Sequence, residues 1–399
     1  MAKTPCCGPE SDEKNASCCP SGNIHEIQNS TCSDQKREVC CGGPPPPKSD
    51  PFERPGYTLC SFVRAFKQVG AEDVPLVETT LTAGDKWGAA LVRLDFNREN
   101  YKVAPGLYGV GNPGPDAPVI VTANYKLTFD SVRKELQDLD AWLLVLDTCG
   151  INVWCAAGKK TFSTAEIVNR LQLTGLQEKI NHRKLIVPQL GATGVSAHEV
   201  KIQSGFTVVY GPVRAADLKR FLSRGNTADQ VMRQVTFTFR ERLVLIPVEF
   251  TLFSKKNWWI LPILMLASGI GPWTFSITRA WERGLVAIVA VFLGIVAGAI
   301  LVPMALPWLP GRSFALKGGI AGLGLGLFTV LISSGSILEK ISLVGCSSLL
   351  GSYLAMNFTG STPFTSPSGV EREMKRAIPI QAVTLVCVLV IWIIAPFIG

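Results

Sequence analysis

Histidine is scarce in this chain. Three histidines occur among 399 residues, at positions 25, 182 and 198, and none is spaced as a metal-ligand pair with another. No Ser/His/Asp arrangement, paired-carboxylate signature or phosphate loop stands out either. We therefore expect each histidine to be a surface residue or a hydrogen-bonded polar residue, and the sequence gives no sign of hydrolytic or phosphate-binding chemistry.

Two further absences narrow the function. The formal net charge is +8, but no basic stripe with interleaved aromatic residues is present, so we expect no nucleic-acid partner. The first residues are polar and lack the apolar region of a secretory leader, so we expect the charged half of the chain to stay in the cytoplasm. The run Gly109 to Gly114 matches a dinucleotide fingerprint, but Pro113 and Pro115 block the helix that the fingerprint must open. It is predicted to be a turn.

Cysteine, in contrast, is concentrated near the start. Residues 1–57 are rich in Ser, Gly, Pro and charge, which predicts a disordered tail. The tail holds seven cysteines without zinc-ribbon or iron–sulfur spacing: Cys6, Cys7, Cys18, Cys19, Cys32, Cys40 and Cys41. Adjacent thiols could capture a soft ion, or the tail could be a reduced, variable segment. The sequence leaves its role open.

Residues 58–230 alternate between strand-like and helix-like segments, as in an α/β domain of Rossmann type. Strands are predicted at 119–122, 142–146, 185–187 and 207–210, and helices at 129–139, 163–173 and 215–222. The continuous apolar run after Trp142 is typical of a buried parallel strand. Ser163 and Glu166 have the spacing of a capping box. A mostly parallel sheet covered by helices is expected.

The rest of the chain is predicted to reach and cross a membrane. Residues 231–257 are expected to form a β-rich neck, because Val235, Phe237 and Phe239 alternate with polar residues. An all-α transmembrane domain of about five helices is expected in 258–399, at 258–278, 284–305, 314–334, 341–358 and 378–398. Gly318, Gly322 and Gly326 recur every four residues, which favours close helix packing.

Basic residues orient these spans. Seven lie on one side (Lys255, Lys256, Arg312, Lys317, Arg372, Lys375 and Arg376) and three on the other (Arg279, Arg283 and Lys340). This asymmetry predicts a multi-pass protein of the cytoplasmic membrane, with the α/β domain in the cytoplasm. The span interiors are predicted to lack charge, which weakens a transporter interpretation.

One octapeptide stands apart: Asn152-Val153-Trp154-Cys155-Ala156-Ala157-Gly158-Lys159. A lone cysteine in an α/β domain is usually a small buried hydrophobe. This segment, however, resembles the cap-helix motif of the HgcA family, the corrinoid proteins of microbial mercury methylation. Segments 118–125, 147–150, 188–192 and 210–214 resemble the corrinoid iron–sulfur proteins of acetyl-CoA synthesis. Those proteins are soluble and carry an iron–sulfur cluster domain, so Cys155 and the membrane anchor favour the HgcA family.

The resemblance implies a corrinoid cofactor (cobalamin, with its cobalt) in a Rossmann-like corrinoid-binding domain. Cys155 is then the lower axial metal ligand and the catalytic residue. The other seven motif residues, Asn152, Val153, Trp154, Ala156, Ala157, Gly158 and Lys159, are expected to shape the site. Thr122, Asn124, Gln189 and Gly191 are expected to bind the cofactor too, because they follow strands at the edge where α/β folds bind ligands.

The implied activity is that of a corrinoid-dependent methyltransferase that passes a methyl group from methyl-Co(III) to Hg(II). The implied partners are a ferredoxin-like iron–sulfur protein (HgcB in that system), a methyltransferase that supplies the methyl group of a methylated folate, and membrane lipid. Two alternatives stay open. One is a membrane-tethered corrinoid methyl carrier of acetyl-CoA-type one-carbon metabolism. The other is a membrane metal transporter with a cytoplasmic metal-binding domain.

Overall fold

A computed structural model of the chain describes residues 53–247, 258–272, 274–358 and 367–398. The predicted tail lies outside the described residues, except for 53–57. The α/β domain has seven strands: β1 (Val63–Val69), β2 (Glu72–Val77), β3 (Gly106–Val110), β4 (Val119–Ala123), β5 (Ala141–Leu146), β6 (Lys184–Val187) and β7 (Thr207–Tyr210). Its α-helices are α1 (Ala83–Arg93), α2 (Lys126–Glu135), α3 (Val153–Gly158), α4 (Thr164–Thr174), α5 (Leu176–Lys179), α6 (Ala197–Ser204) and α7 (Leu218–Ser223).

All seven strands form one sheet in the order β1-β2-β3-β5-β4-β6-β7. Strands β5, β4, β6 and β7 run parallel to one another, whereas β3 is antiparallel to β5 and β1 is antiparallel to β2. A mixed α/β domain with a parallel-rich sheet is therefore present, as expected. The antiparallel β1–β2 hairpin, α1 and β3 are elements that the sequence analysis did not identify.

Apolar side chains alternate between the two faces of this sheet. On β4, Val119, Val121 and Ala123 join one core cluster, which also contains side chains of α3, α4 and α6. Ile120 joins the other cluster, with Phe129 of α2 and with Phe221 of α7. Both faces of the central strands are covered, which is why these strands read as continuous apolar runs. The run at Gly109 ends β3 and turns, with Gly111 at a φ of 69°.

The neck differs from the β-rich segment that was predicted. Among the described residues 231–247 there is no strand, and residues 239–247 form a helix, α8. Phe237, two residues before α8, and Leu245, within it, pack on the helices that follow rather than pairing as strands. The rest of the predicted neck, 248–257, lies outside the described residues. The alternation around Val235 was misleading because a short apolar pattern fits a strand or one turn of a helix equally well.

Four helices of the carboxyl-terminal region are long and apolar enough to cross a membrane, at Ile277–Ala305, Phe314–Ile332, Ile337–Asn357 and Gly369–Ile398. The first comprises α10 (Ile277–Ile295), a π-helical stretch (Val296–Leu301) and α11 (Val302–Ala305). Pro303 has no amide to donate to the preceding turn, which accounts for the altered hydrogen-bond pattern there. The others are α12 (Phe314–Ile332), α13 (Ile337–Asn357) and α14 (Pro367–Ile398). These four helices are compatible with a membrane protein.

Five spans were predicted, and the first of them has a different structure. Segment 258–278 contains α9 (Ile260–Ser268), followed by the short strands β8 (Ile270–Gly271) and β9 (Thr274–Phe275). The nine residues of α9 rise only about 14 Å. That length is about half of the hydrocarbon thickness of a bilayer. Hydropathy found the apolar segment but not the turn at Gly269 that ends the helix.

Contacts with the long helices show at which end of the bundle Leu245 and Ser268 lie. At one end of the bundle, Phe237 and Leu245 pack with Phe314, which begins α12, and Phe358, which follows α13. At the opposite end, Ser268 of α9 meets the start of α13 and the last turns of α14 through one arginine, described next. Leu245 and Ser268 therefore lie at opposite ends of the bundle.

That arginine is Arg283, in the second turn of α10. Its Nε lies 2.7 Å from Glu339 Oε1, and its other nitrogens donate to the carbonyls of Ser268 (2.8 Å) and Trp392 (2.7 Å). Both side chains of the ion pair are nearly enclosed. Both residues lie in the first two turns of their helices, at the boundaries of the predicted spans and not in the interiors that were expected to lack charge. A charge pair that satisfies itself can be buried between helices there.

The glycine repeat of α12 packs as predicted. A Cβ at Gly318 would lie 2.1 Å from the carbonyl oxygen of Gly351, and one at Gly322 would lie 2.3 Å from that of Ser347. A Cβ at Gly326 would lie 2.9 Å from the side chain of Ser347. Helices α12 and α13 therefore approach until backbone touches backbone, which only small residues permit.

Candidate functional site

The carboxyl ends of β4, β5, β6 and β7 meet at one edge of the sheet. The chain leaves β4 through α2 to β5 on one side, and it leaves β5 through α3 and α4 to β6 on the other side of β4. The connections thus diverge at β4 and β6, which makes their carboxyl ends the topological switch point of the domain. Open α/β sheets bind ligands in the crevice at such a point. The candidate site is built around this edge.

Helix α3 carries the octapeptide over this edge and has two different faces. Val153, Ala156 and Ala157 are buried in the core below it. On the outer face Trp154 is 42% exposed, and Cys155 is half-buried with a free thiol. The sulfur therefore belongs to the accessible side of the helix and not to the sheet interior.

Its two ends hold α3 in place. Asn152 caps the first turn, and its Oδ1 accepts a hydrogen bond from the amide of Cys155 at 2.9 Å. The helix ends at Gly158, two residues before Lys160, which has a φ of 60°. The carbonyl of Ala156 accepts bonds from the amides of Thr161 and Phe162. Because Asn152 bonds to Cys155 itself, this cap fixes the backbone that carries the thiol.

A buried polar network fixes the loop that leads into α3. Asn124, directly after β4, is fully buried, and its Nδ2 donates to Asp147 Oδ1 at 3.0 Å. Its Oδ1 accepts from the Thr148 amide (3.1 Å), the Thr148 hydroxyl (2.9 Å) and the Gly150 amide (3.0 Å). Asp147 Oδ1 also accepts from the amide of Cys149 at 3.1 Å. One carboxamide thus joins the end of β4 to the whole β5–α3 loop.

Glu166 extends the network from α4. The predicted capping box is incomplete: Ser163 Oγ accepts from the Glu166 amide, but Glu166 Oε1 accepts from the Asp147 amide at 3.0 Å. Arg170 donates to the same carboxylate at 2.7 Å. The helix start was predicted correctly and the partner of the glutamate was not, because the competing amide lies 19 residues away along the chain. Reciprocal capping boxes are found instead at Thr82 and Asp85, before α1, and at Thr238 and Glu241, at the start of the helix 239–247.

Two buried polar atoms near the switch point have no partner. Thr122 Oγ1 on β4 and Gln189 Oε1, two residues after β6, are enclosed and make no hydrogen bond. The β4–β6 register pairs Ile120 with Ile186, and its extension places Thr122 level with Pro188, beside Gln189. An unpaired buried acceptor costs about 1–3 kcal/mol. Such atoms are the ones that a bound ligand with polar side groups can satisfy.

The other predicted site residues have structural contacts. Val153, Ala156 and Ala157 were predicted to contact a cofactor, but they face the core and do not reach the outer surface of α3. Asn124 was predicted to bind the cofactor as well, but its carboxamide is engaged by the loop. Gly158 is exposed, with open space around it. Lys159 is half-buried at the end of the helix, and its amide donates to the carbonyl of Cys155.

Gly191 and two residues that the sequence analysis missed support α3 from below. A Cβ at Gly191 would lie 2.5 Å from the ring of Phe162, which is fully buried. A Cβ at Gly194 would lie 2.1 Å from the Phe162 carbonyl and 3.0 Å from Ala157 Cα. The segment after β6 therefore touches the α3 backbone directly. Gly191 is thus needed for this packing, and nothing local to Phe162 or Gly194 signalled the contact.

A cluster of paired charges lies beside the site, between α1 and α2. Lys126 Nζ donates to Asp85 Oδ1 (2.6 Å) and Asp130 Oδ2 (2.7 Å), and Arg133 bonds to both carboxylates. Burial alone would raise the pKa of Asp85, but hydrogen bonds from Lys126 and Thr82 hold this pKa well below its usual value. Burial would lower the pKa of Lys126, but its hydrogen bonds to Asp130 and Asp85 raise it. Every charge is compensated, so the cluster stabilises the domain and offers no free acid or base.

Cavities do not mark the candidate site. Two surface cavities of about 470 and 500 Å³ lie at the opposite edge of the sheet, where Val110, Val119 and Lys184 begin or end their strands. His182, in the second cavity, is satisfied by the carbonyl of Ala117 and the amide of Lys184, as expected for a structural histidine. No group of three or more His, Cys, Asp or Glu side chains among the described residues could hold a metal ion. A metal at α3 would therefore depend on Cys155 and on a ligand that brings its own donors.

The candidate site lies in a segment of the chain that is similar to known proteins. Residues 95–222 match the family of the CO dehydrogenase/acetyl-CoA synthase delta subunit. The domain is similar to acetyl-CoA pathway subunits. The acetyl-CoA decarbonylase/synthase complex subunit gamma of Archaeoglobus fulgidus is 33% identical over 140 residues, which is 33% of this chain and 29% of that protein. The same subunit of Methanopyrus kandleri is 33% identical over 129 residues, covering 32% of this chain and 28% of the relative. That of Methanocaldococcus jannaschii is 33% identical over 141 residues, covering 34% and 28%.

These similarities support the broader of the two resemblances, that to the proteins of acetyl-CoA synthesis. The chain spans less than a third of the length of these relatives. The matched segment contains Asn124, Cys155 and Gln189, and it ends before the neck and the membrane helices. The comparisons therefore concern the α/β domain alone, and they do not bear on mercury as a substrate.

Proposed function

We propose that the chain is a membrane-tethered corrinoid protein that takes part in methyl transfer, with Cys155 as the lower ligand of the cobalt. The observation that carries the proposal is the position of Cys155. Its free thiol lies on the accessible face of a short helix, and that helix is pinned over the carboxyl edge of a parallel-rich sheet. The similarity of this domain to acetyl-CoA decarbonylase/synthase subunits supports the same class of chemistry.

The residues present fit such a cofactor. The outer face of α3 is open beside Gly158 and presents the flat indole of Trp154 next to the thiol. The unpaired Gln189 oxygen, two residues after β6 at the switch point, can accept a hydrogen bond from an amide side group of a corrin ring. Thr122 is unpaired too, but it points to the α2 face of the sheet, as Ile120 does. When bound, a corrinoid supplies a cobalt atom that accepts and releases a methyl group. The network around Asn124 keeps the Cys155 backbone at a fixed height above the sheet edge, and the thiol must lose its proton to coordinate a metal.

Cys155 favours Hg(II) as the methyl acceptor over the acetyl-CoA pathway. A thiolate is a strong, soft donor, which suits delivery of a methyl group with carbanion or radical character to a soft metal cation. This finer proposal gives a corrinoid-dependent methyltransferase that forms methylmercury, with a ferredoxin-like partner such as HgcB as the electron source and a methylated folate as the methyl source. The less specific alternative is a membrane-tethered methyl carrier of one-carbon metabolism. The similarity of the α/β domain to acetyl-CoA decarbonylase/synthase subunits supports this alternative.

The test is spectroscopic first and catalytic second. The full-length protein is purified in detergent with added corrinoid, and its absorption spectrum is compared with that of Cys155→Ala and of Cys60→Ala, whose exposed thiol lies outside the site. We expect Cys155→Ala alone to change the spectrum of the bound corrinoid. We also expect it to lower methylmercury formation with the ferredoxin partner by at least tenfold, because even outer-shell changes at metal sites cost about 10–100-fold.

The outcomes separate the levels of the proposal. A protein that binds no corrinoid refutes all of it. A bound corrinoid with the same spectrum in the wild type and in Cys155→Ala refutes the ligand role. A bound corrinoid that transfers methyl groups but yields no methylmercury refutes mercury as the substrate and leaves the tethered carrier.

A further inference from the structure

Helix α8 lies at the junction between the α/β domain and the membrane helices. On the domain side, Arg214 after β7 pairs with Glu241 of α8 at 2.7 Å. On the membrane side, Leu245 packs with Phe314 and Phe358 at the ends of α12 and α13. The position of α8 is therefore set from both sides, at the level where the membrane helices begin and end.

Arg242 of α8 is buried without an anion. Its side chain is 5% exposed, and its Nε is enclosed and makes no hydrogen bond. Within the residues that the structure describes, no ion pair or hydrogen bond involves this guanidinium. Its Cζ lies 6.0 Å from the centroid of the Phe239 ring. A buried cation without a counter-ion is strongly unfavourable, so an anion from outside the chain would be stabilised there.

The surroundings of Arg242 point to the source of that anion. Successive helical residues are 100° apart, so Phe239 and Leu243 share one face of α8, and Arg242 lies between that face and the buried one. Phe239 is 44% and Leu243 46% exposed, as is common for helices that lie in a membrane interface. Trp308, in the connection between α11 and α12 at the same end of the bundle, is 75% exposed, which suits the headgroup level.

The local charge is also positive. Lys317, in the first turn of α12, is buried, and its Nζ donates to the carbonyl of Leu306 at 2.6 Å. Arg240 is exposed on α8. Two carboxylates at this end of the bundle are engaged: Glu241 accepts from Arg214 and Thr236, and Glu373 of α14 accepts from Ser313 and the Ala315 amide. An anion beside Arg242 would therefore meet cations rather than free carboxylates.

We propose that Arg242 binds the phosphate group of an anionic phospholipid, with α8 lying in the headgroup region of the leaflet that faces the α/β domain. The guanidinium supplies a charged donor pair for the phosphate oxygens. Phe239 and Leu243 bury in the lipid beside it. The lipid would then act as the counter-ion of Arg242 and hold α8 at the membrane surface. Because Arg214 pairs with Glu241 of α8, the same contact would hold the edge of the sheet near the membrane.

The test uses the full-length protein in a neutral detergent. Its thermal stability and its retained lipid, counted by native mass spectrometry, are measured with added phosphatidylglycerol, phosphatidylcholine or inorganic phosphate. Arg242→Gln is compared with Arg240→Gln, a matched change of an exposed arginine two residues away on the same helix. We expect the wild type and Arg240→Gln to retain phosphatidylglycerol in preference to phosphatidylcholine, and Arg242→Gln to lose this retention at least tenfold, as expected for a charged hydrogen bond.

Stability without lipid adds a second readout with the opposite sign. Since Arg242→Gln removes an uncompensated buried charge, it should be at least as stable as the wild type in detergent alone, and less stable than the wild type only when phosphatidylglycerol is present. Equal retention of the two lipids by the wild type would overturn the proposal, and this result does not depend on any variant. Equal loss in both variants would show general attraction of charge, and full stabilisation by inorganic phosphate would show an anion site that needs no lipid. Either outcome refutes a specific phospholipid site.

Discussion

Replacement of Asn124 by alanine is expected to release the loop that carries Cys155. The change deletes one donor and one acceptor from a fully buried position. The acceptor serves the amides of Thr148 and Gly150, and the donor serves Asp147. No other acceptor in the network is placed to replace it, so two backbone amides lose their partner inside the protein.

The magnitude follows from these groups. Each buried donor left without a partner costs about 1–3 kcal/mol. Two such amides give about 2–6 kcal/mol, and local relaxation that lets in water brings the expected value to about 3 kcal/mol. Because the loop can open without unfolding the sheet, this cost should appear mainly as local opening of 147–158. A loss of 3 kcal/mol raises the open population by about two orders of magnitude.

Hydrogen exchange of the full-length protein measures this directly. Peptides covering 147–158 should exchange about 100-fold faster in Asn124→Ala, whereas peptides of β5 should change little. The matched control is Asn181→Ala, which removes a single exposed hydrogen bond to Asp116 at 3.1 Å. This control should shift exchange less than about threefold, since exposed groups find water instead.

The refuting result is equally specific. If exchange of 147–158 rises less than about fivefold in Asn124→Ala, the network does not hold the loop. If exchange rises as expected but the spectrum of a bound corrinoid is unchanged, the loop does not position Cys155, and the structural prediction survives without its functional consequence.

Two further predictions concern stability. The depressed pKa of Asp85 means that its ion pairs stabilise the fold above the unfolded-state pKa, near 3.8, and that this contribution is lost as the pH falls through the lower folded-state pKa. Asp85→Asn should therefore destabilise the protein by about 3 kcal/mol at neutral pH, and by progressively less as the pH falls from 3.8 toward the lower folded-state pKa, as measured by urea unfolding; a loss that does not shrink over this pH range would contradict the pairing. In α12, Gly322→Ala should lower the melting temperature in detergent, because its Cβ would meet the Ser347 carbonyl at 2.3 Å, whereas Gly324→Ala, in open space, should leave it unchanged or raise it. Equal effects of the two changes would refute the close packing of α12 on α13.

Long, strongly patterned elements were predictable from the sequence. Strand β7 was predicted at 207–210, as observed, and β5 began one residue earlier than predicted. β5 is a continuous apolar run between Asp140 and Asp147, and β7 is a β-branched and aromatic run between Gly205 and Gly211. In contrast, β1 and β2 carry exposed polar residues among their apolar ones, so no local pattern indicated them despite their lengths of seven and six residues. The strand prediction for residues 239–247 was wrong, because so short an apolar pattern fits the period of a strand and the period of a helix equally well.

The candidate site was only partly predictable. The octapeptide and the strand ends were found because they are contiguous segments. The division of α3 into a core face with Val153 and Ala156 and an outer face with Cys155 was missed, since six residues carry no clear periodicity. Gln189 and Thr122 were named as candidates. Their missing hydrogen bonds could not be predicted, because they depend on the positions of all the surrounding atoms.

The sequence by itself determined an α/β domain with a parallel-rich sheet, a run of apolar helices after it, and one distinctive cysteine segment. These features depend on residues that are neighbours along the chain or one helical turn apart. Only the tertiary structure decided that Asn124 holds the Cys155 loop, that Glu166 bonds to Asp147, and that no carboxylate among the described residues pairs with Arg242. Such contacts depend on which groups from distant segments come together in the folded chain. Hydrogen-bond partners 19 to 26 residues apart are not indicated by any local pattern in the sequence.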